Sequence, residues 1–396
     1  MHTNHQDQHS PDEFHLVYGG GLSSHLAERM GFGTVSEPRH FMKIAVVVLI
    51  TWVPLLLFAL VAGHAVGGLV KYPFFHDPQV HARLIFTLPL LELGRVIVAL
   101  SLRVQVPHLR NMGVVSEKDW SRFDAARAKA LELRRSTWAE VSIVVLSVLM
   151  SLVLRIVVGI SEGDSSWERT GGAITLAGWW HMLVSLPILY FMLLRWVWIF
   201  LVWGWFLFRI SRLDLELTPT HPDHSGGLGF LAWGLVSFAT VLMAISAVFS
   251  AGFAAQILDG HESLDSLKFR IAAFIIGAVI VLHSPLLVFS GRLARCRFKG
   301  LLEFGALVWR YDTAFEEKWV NKPQDSNQES LLGNSDIQSM ADIATCYDHI
   351  NEMRLLPFDT KAIAVLVLAA LFPMIPLVGT EISLQEIFMK LGEFFI

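Results

Sequence analysis

Apolar and polar positions alternate along this chain in long blocks. Seven blocks are apolar for about 20 residues each, the length that an α-helix needs to cross a hydrocarbon core about 30 Å thick. They are Ile44–Val66, Leu84–Leu102, Val141–Ile160, Leu176–Phe200, Leu228–Phe249, Ile271–Phe289 and Ala362–Val378. Because lipid offers no partner for main-chain N–H and C=O groups, each block is predicted to be helical. The predicted fold class is all-α, a polytopic helical membrane protein with about seven transmembrane helices.

Composition supports this prediction. Hydrophobic residues make up 54% of the chain and charged residues 17%, and the mean hydropathy is +0.52. The short alternation of a transmembrane β-barrel strand is not found in the sequence. The lipid bilayer is therefore the first predicted partner. A net charge of −4 gives no reason to expect nucleic acid as a second one.

The polar connections predict the orientation. Lys and Arg are abundant after the second and sixth blocks and scarce after the first, third and fifth. Positive charge marks the cytoplasmic side. We therefore predict a cytoplasmic N-terminus and, with an odd number of spans, a periplasmic C-terminus. The cluster Arg292, Arg295, Arg297 and Lys299 is expected to lie against anionic lipid headgroups.

Four parts follow along the chain. Residues 1–42 are predicted to be a mostly disordered cytoplasmic tail, and residues 43–291 to hold six spans with cytoplasmic loops. Residues 292–360 are predicted to be a cytoplasmic helical region, and residues 361–396 the last span and an outward amphipathic segment. Cys296 and Cys346 both fall on the predicted cytoplasmic side, where thiols stay reduced.

Two amphipathic helices are predicted on the cytoplasmic side. The first covers residues 116–140 and lies under the third span or runs into it. The second begins at a capping box, Ser335-Asp336-Ile337-Gln338, and ends before Pro357. Its apolar stripe needs a partner, which could be the helix over residues 301–319, another subunit of a homo-oligomer or a different protein, or the membrane surface.

Ionisable residues inside the apolar blocks are candidates for function, because a charge at the bilayer centre costs at least about 2.5 kcal/mol. Glu92 and Arg95 are three residues apart and share a helical face, so an ion pair is expected. The pair is either a neutralised part of the fold or an element of a polar pathway. His283, about midway along the sixth block, is the third candidate, with a buried neutral histidine as the simpler interpretation. Arg195 is expected to snorkel to a membrane surface.

The fourth block continues as an apolar run of about 35 residues, or about 50 Å as one helix. The run is expected to tilt or to project into the cytoplasm against other helices. A break at Pro187 into two half-helices is the alternative. His181 lies near the outer edge of this block, at a different predicted depth from His283, so the two are not expected to bind one haem. No cofactor is predicted.

The connection after the fourth block holds a second group of candidates: His221, Asp223, His224, Gly226 and Gly227. One interpretation is a rigid elbow, in which Asp223 accepts hydrogen bonds from amides and the glycines adopt positive φ. A second is a cradle of amides for an anion or headgroup. A third is a cation site using the two histidines and the carboxylate, which needs further ligands. These residues leave the presence of a metal undecided.

This connection, Thr218-Pro219-Thr220-His221-Pro222-Asp223-His224-Ser225-Gly226-Gly227-Leu228-Gly229-Phe230-Leu231, is one of two marked segments. The second marked segment consists of Ser335-Asp336-Ile337-Gln338-Ser339-Met340-Ala341-Asp342 with the nearby Met353-Arg354-Leu355-Leu356-Pro357-Phe358. Together they resemble the signature of an uncharacterised family of bacterial multi-pass inner-membrane proteins. The resemblance covers roughly the C-terminal half, from Leu213 onward. It implies a bacterial inner-membrane location and no particular activity.

The common catalytic motifs are not found. The sequence has no Gly-x-Ser-x-Gly elbow, no His-Glu-x-x-His and no Walker motif, so an enzyme is not predicted. Two function classes remain. One is a transport or channel protein whose polar route is lined by the second and sixth spans, through Glu92, Arg95 and His283. The other is a membrane scaffold or sensor that recruits partners through its cytoplasmic helices.

Overall fold

The computed structural model describes residues 37–67, 69–161, 165–321 and 333–379. Most of the predicted N-terminal tail and of the C-terminal segment lies outside these residues. Within them, seven helical runs are long and apolar enough to cross a membrane, and we number them as the first to seventh spans. They are Met42–Val61, Pro78–Asn111, Glu117–Val153, Leu176–Ile210, Leu231–Leu258, Leu264–Val320 and Thr360–Val378. The predicted all-α polytopic fold is confirmed.

The runs are made of shorter regular elements. The α-helices in the described residues are Glu37–Thr51, Val53–Val61, Pro78–His81, Leu88–Asn111, Trp120–Arg134, Thr137–Ser161, Leu176–Trp180, Leu186–Ile210, Leu231–Ser237, Ala239–Leu258, Leu264–His283, Ser290–Phe315, Ser335–Asn351, Thr360–Leu371 and Ile375–Val378. Two short strands, β1 (Arg169–Thr170) and β2 (Ala173–Ile174), pair antiparallel between the third and fourth spans.

The connections meet at two ends of the helix bundle. Ser116 N–H donates to the carbonyl of Asp214 (3.2 Å), which joins the connections after the second and fourth spans. At the other end, Trp167 N–H donates to the carbonyl of Tyr72 (2.9 Å), which joins the connections after the third and first spans. We call these the basic end (residues 112–119, 211–230 and 333–359) and the opposite end (residues 62–77, 165–175 and 259–263).

The most densely buried layer lies toward the basic end. The second and fourth spans are 34 and 35 residues long, so each extends well past the roughly 30 Å of hydrocarbon. The helix Trp120–Arg134, which we call the connecting helix, packs against the extended fourth span. Phe123 and Phe206, both buried, meet there with their ring centroids 6.1 Å apart. A layer outside the bilayer must bury its apolar side chains from water, whereas a lipid-facing surface need not.

Two spans widen into a π-helical turn before a proline. The segment Ala82–Thr87 precedes Leu88-Pro89, and the segment His181–Ser185 precedes Leu186-Pro187. A proline ring pushes away the carbonyl four residues earlier, and a wider turn lets the helix continue past it. The fourth span is therefore one continuous helix projecting at the basic end. The alternative of two half-helices broken at Pro187 is wrong.

The sixth span continues into a long projecting arm. After the 3₁₀ run Ser284–Phe289 comes the helix Ser290–Phe315, which we call the arm helix. The return helix, Ser335–Asn351, packs against it and runs antiparallel. Tyr311 and Arg297 of the arm helix donate to the carbonyls of Asp336 (3.0 Å) and Asn351 (2.6 Å), at the two ends of the return helix. Of the partners considered for the return helix, the upstream helix is the one in contact with it.

The start of the return helix differs from the prediction. The residue that caps it is Asn334, whose side-chain oxygen accepts a hydrogen bond from the Asp336 N–H at 2.8 Å. The predicted capping box, with Ser335 as the first partner, lies one residue too late. Asn and Ser are comparable N-cap residues, so the local sequence alone did not discriminate between them.

Candidate functional site

Asp223 organises the connection between the fourth and fifth spans. Its carboxylate accepts hydrogen bonds from the amides of Ser225 (2.8 Å), Gly227 (3.1 Å) and Gly229 (2.8 Å). Burial works to raise the pKa of this carboxyl, but the three amides and His221 outweigh burial and hold the pKa below its ordinary value. The amide cradle predicted for an external anion is therefore filled by the protein's own carboxylate.

The glycines of this loop are required by its backbone. Gly226 and Gly227 have φ values of +64° and +92°, in the region that L residues rarely adopt. His224 also has a positive φ, of +50°, and its ring faces His349 at 5.3 Å between centroids. His221 Nδ1 lies 2.8 Å from Asp223 Oδ1, but within the described residues no group of three or more His, Cys, Asp or Glu is arranged to hold a metal ion. The geometry favours the elbow interpretation.

Arg354 fastens the two marked segments together. Its main-chain N–H donates to the carbonyl of His224 at 2.7 Å, and its guanidinium donates to the carbonyl of Asp223 at 3.1 Å. The residues are about 130 positions apart in the chain. The sequence did not predict this contact, because no spacing or motif in either segment points to the other one.

The predicted pairing of Glu92 with Arg95 is present. Arg95 Nη1 lies 3.0 Å from both carboxylate oxygens of Glu92. The side chains are 12% and 22% exposed, so the pair is largely shielded. On the neighbouring turn Trp196 Nε1 donates to the carbonyl of Leu91 (3.2 Å), which ties the second span to the fourth. The pair therefore lies at a helix interface rather than on an isolated helix face.

Three further charged residues join this pair, and we call the set of five the charge cluster: Glu92, Arg95, Arg134, Glu140 and Arg195. Arg195 lies within electrostatic range of Arg95, Glu140 and Glu92. Arg134 lies within range of Arg195, Arg95 and Glu140. The second, third and fourth spans and the connecting helix thus each contribute to one charged site.

A small cavity lies within the charge cluster. Arg134, Glu140 and Arg195 line it together with Phe191 and Trp198, among others, and its volume is about 20 Å³. A cavity of this size accommodates about one water molecule. Arg195 lines this partly open cavity beside Arg134 and Glu140, and the prediction that it reaches a membrane surface stays a prediction. Arg134 and Glu140 were missed because they lie at the ends of separate helices.

The position of the charge cluster along its spans follows from helix lengths. Arg95 lies about 25 Å along the second span from Pro78, and Arg195 about 28 Å along the fourth from Leu176. Both spans begin at the opposite end of the bundle. Arg95 and Arg195 therefore lie near the middle of two helical runs that are each about 50 Å long.

His283 is the last residue of the helix Leu264–His283. Its ring packs on Phe358 with centroids 4.3 Å apart, two residues before the helix of the seventh span begins. Its Nδ1 donates to the carbonyl of Val279 at 2.8 Å. The ring therefore lies beside the start of the seventh span, and its depth in the bilayer stays a prediction.

The second and sixth spans are not a main contact pair. The second packs mainly on the fifth span, and the sixth packs on the fourth, the seventh and the fifth. These contacts give no support to a polar route formed jointly by Glu92, Arg95 and His283. The groups that meet Glu92 and Arg95 come from the third and fourth spans instead.

The opposite end contains a second buried polar network. Trp52 Nε1–H donates to His81 Nδ1 (3.2 Å), so His81 Nε2 must carry the hydrogen that it shares with the carbonyl of Phe74 (3.1 Å). His181, set aside above as a haem ligand, instead contacts the carboxylate of Glu168 through its Nδ1, and both residues are buried. This network joins the first, second and fourth spans, and we interpret it as a network that stabilises the fold.

Comparison with known proteins adds no relative. No protein-family model, no curated protein and no solved structure matches this chain. The resemblance to a bacterial inner-membrane family stays a prediction, and function has to be argued from the sites described above.

Proposed function

We propose that this protein transports a small anion across the membrane, with the charge cluster as its binding site. The observation that carries the proposal is a small cavity lined by Arg134, Glu140 and Arg195, with the Glu92–Arg95 pair within electrostatic range of Arg195. This keeps the class of function expected from the sequence and changes the lining of the route. The second, third and fourth spans replace the second and sixth.

Charge balance favours an anion over a cation. Arg stays protonated at any physiological pH, so the three arginines outnumber the two carboxylates by one positive charge. A charge excess in a poorly solvated site is costly, and a bound anion would offset it. The guanidinium groups of Arg134 and Arg195 border the cavity directly. A volume of about 20 Å³ suits a monatomic ion such as a halide better than an organic substrate.

Three buried hydroxyl groups lie on the same helices as the cluster or beside them, toward the opposite end. Thr51, Thr87 and Ser185 are fully buried in the first, second and fourth spans. The Ser185 hydroxyl donates to the carbonyl of Thr51 (2.7 Å), and that of Thr87 donates to the carbonyl of Ala244 (3.1 Å). Thr87 and Ser185 end the two π-helical turns, a local geometry that often accompanies functional sites. Each hydroxyl donates to a carbonyl at rest. In the proposed pathway it would donate to the passing anion instead.

We further propose that the basic end faces the cytoplasm of a bacterium and the opposite end the periplasm. The distribution of Lys and Arg supports this orientation, and so does the family resemblance. The role expected for the basic cluster needs revision, because Arg292 donates to the carbonyl of Ser211 (3.3 Å) and Arg297 to that of Asn351. These two arginines hold connections together. Lys299 and Arg295 are the exposed members left to contact anionic headgroups.

The test is anion flux into liposomes. We expect purified protein to carry radiolabelled chloride across the bilayer above protein-free controls. Arg195→Gln should lower the rate at least about tenfold, the loss expected from removing one charged hydrogen-bonding partner. Arg195→Lys should retain part of the flux, since it keeps the charge but loses the fork of donors. Arg209→Gln, an exposed position on the same helix, is the matched control and should be unchanged.

Two results would contradict the proposal. One is chloride uptake no faster than in protein-free liposomes. The other is an equal loss in the Arg195 and Arg209 variants, which would mean that general surface charge and not the cluster governs uptake. Circular dichroism and the apparent Tm of each variant distinguish lost transport from lost folding.

A scaffold function is the second candidate, and the arm favours it. Phe298, Leu302 and Trp309 recur at intervals that share one face of the arm helix, and they are 66%, 60% and 68% exposed. Ile337 and Met340 of the return helix add an exposed apolar strip. A face of this kind suits association with another protein or a second copy. If the flux experiment contradicts the transport proposal, the arm becomes the main candidate for a functional surface.

A further inference from the structure

A groove at the basic end runs between the first turns of the fifth span and the start of the seventh. Two adjoining cavities of about 290 Å³ and about 510 Å³ form it, and both are lined by Arg354, Phe358 and Asp359. The helices Leu231–Ser237 and Thr360–Leu371 pack together beneath it. Its combined size falls in the range of ligand sites. Neither the charge cluster nor the transport proposal uses this groove.

One wall of the groove is apolar and open toward the lipid side of the helices. Trp233, Val236 and Val365 line it. Trp233 is 70% exposed and Val365 is 40% exposed, although both are helical residues at the start of spans. An exposed tryptophan at this level is typical of the membrane interface, where the indole ring contacts both acyl chains and headgroups.

The polar wall holds two cations beside two carboxylates. Asp223 accepts hydrogen bonds from three main-chain amides, and Asp359 Oδ1 accepts the Ala362 N–H (2.9 Å) as a helix cap. These hydrogen bonds hold both carboxylates within the fold but leave them charged. Arg354 spends one guanidinium nitrogen on the carbonyl of Asp223 and has further donors, and Lys361 is exposed on the first turn of the seventh span.

We propose that this groove binds one anionic phospholipid from the leaflet at the basic end. Arg354 and Lys361 hold the phosphate, and an acyl chain lies along Trp233 and Val365. A soluble anion would need the two cations but not the apolar wall, whereas a phospholipid uses both. Because anionic headgroups are attracted to an end rich in Lys and Arg, an anionic phospholipid is the occupant we propose.

The test is lipid binding to the full chain in detergent, measured by native mass spectrometry with phosphatidylglycerol and phosphatidylcholine. Wild-type protein should retain one phosphatidylglycerol in preference to phosphatidylcholine. Lys361→Gln should weaken phosphatidylglycerol binding about fivefold, the effect of one lysine at an anionic surface. Lys118→Gln, also exposed at the same end, is its control and should have no effect.

A second pair of variants tests the apolar wall. Trp233→Ala should weaken retention of phosphatidylglycerol, whereas Trp309→Ala, with nearly the same exposure on the arm helix, should not. The proposal is overturned if the two lipids are retained equally, or if inorganic phosphate displaces phosphatidylglycerol, which would indicate a soluble-anion site. It is also overturned if each control variant loses as much binding as its partner.

Discussion

Single residues in this protein illustrate two ways of keeping a charge away from water. Asp223 is surrounded by amides of its own loop, so its negative charge is compensated within seven residues of chain. Arg195 is compensated by residues on other helices. The first arrangement can be assembled as the loop forms, whereas the second exists only when the spans have packed.

Asp223→Asn should destabilise the protein by about 2 kcal/mol, because a neutral amide oxygen accepts fewer and weaker hydrogen bonds from the three amides. The folded-state pKa of Asp223 is depressed, so its stabilising effect is fully present above the unfolded pKa of about 3.9 and is lost as pH falls through the folded value. The measurement is the apparent Tm of both proteins from pH 7 to pH 3. The difference should be constant down to about pH 5 and should shrink below about pH 4. A difference that grows on acidification would contradict this account.

At the scale of elements, a glycine lets the arm helix pack closely against its neighbours. A Cβ on Gly300 would lie 2.8 Å from Cβ of Pro219 and 3.1 Å from Cγ2 of Ile350. The arm helix therefore touches both the loop and the return helix at this one residue. Gly305, five residues later, has room, since a Cβ there would lie 3.6 Å from the ring of Tyr347.

Gly300→Ala and Gly305→Ala are therefore expected to act in opposite directions. Each gains about 1 kcal/mol of helix propensity. At position 300 the rigid proline cannot yield, and overpacking costs about 1–3 kcal/mol, so the apparent Tm should fall. At position 305 the Tm should stay the same or rise. Equal shifts in the two variants, measured by thermal unfolding in detergent, would mean that the arm does not pack on the loop as described.

At the scale of the whole molecule, the two ends of the bundle differ in how they are joined. At the opposite end, the short β1–β2 hairpin and a polar network link the first, third and fourth spans. At the basic end, extended helices, the loop around Asp223 and the arm form a layer of their own. If the basic end is cytoplasmic, most of the protein outside the bilayer lies inside the cell.

Cysteine labelling tests this orientation. After replacement of Cys296 and Cys346 by Ser, single cysteines at the exposed positions Thr170 and His261 should react with a membrane-impermeant maleimide added to intact cells. Cysteines at the exposed positions Lys118 and Glu303 should react only after the cells are opened. The reverse pattern would invert the proposed topology. A mixed pattern within one end would contradict the number of spans.

The sequence by itself determined what depends on short stretches of chain. Helical spans follow from the length of apolar blocks, the Glu92–Arg95 pair from a spacing of three residues, and the elbow from adjacent glycines with Asp223. Only the tertiary structure decided that Arg134, Glu140 and Arg195 join that pair, that Arg354 holds the loop, and that the second and sixth spans are not a main contact pair. The physical reason is that helices in lipid are apolar on every side, so their sequences specify little about which faces meet.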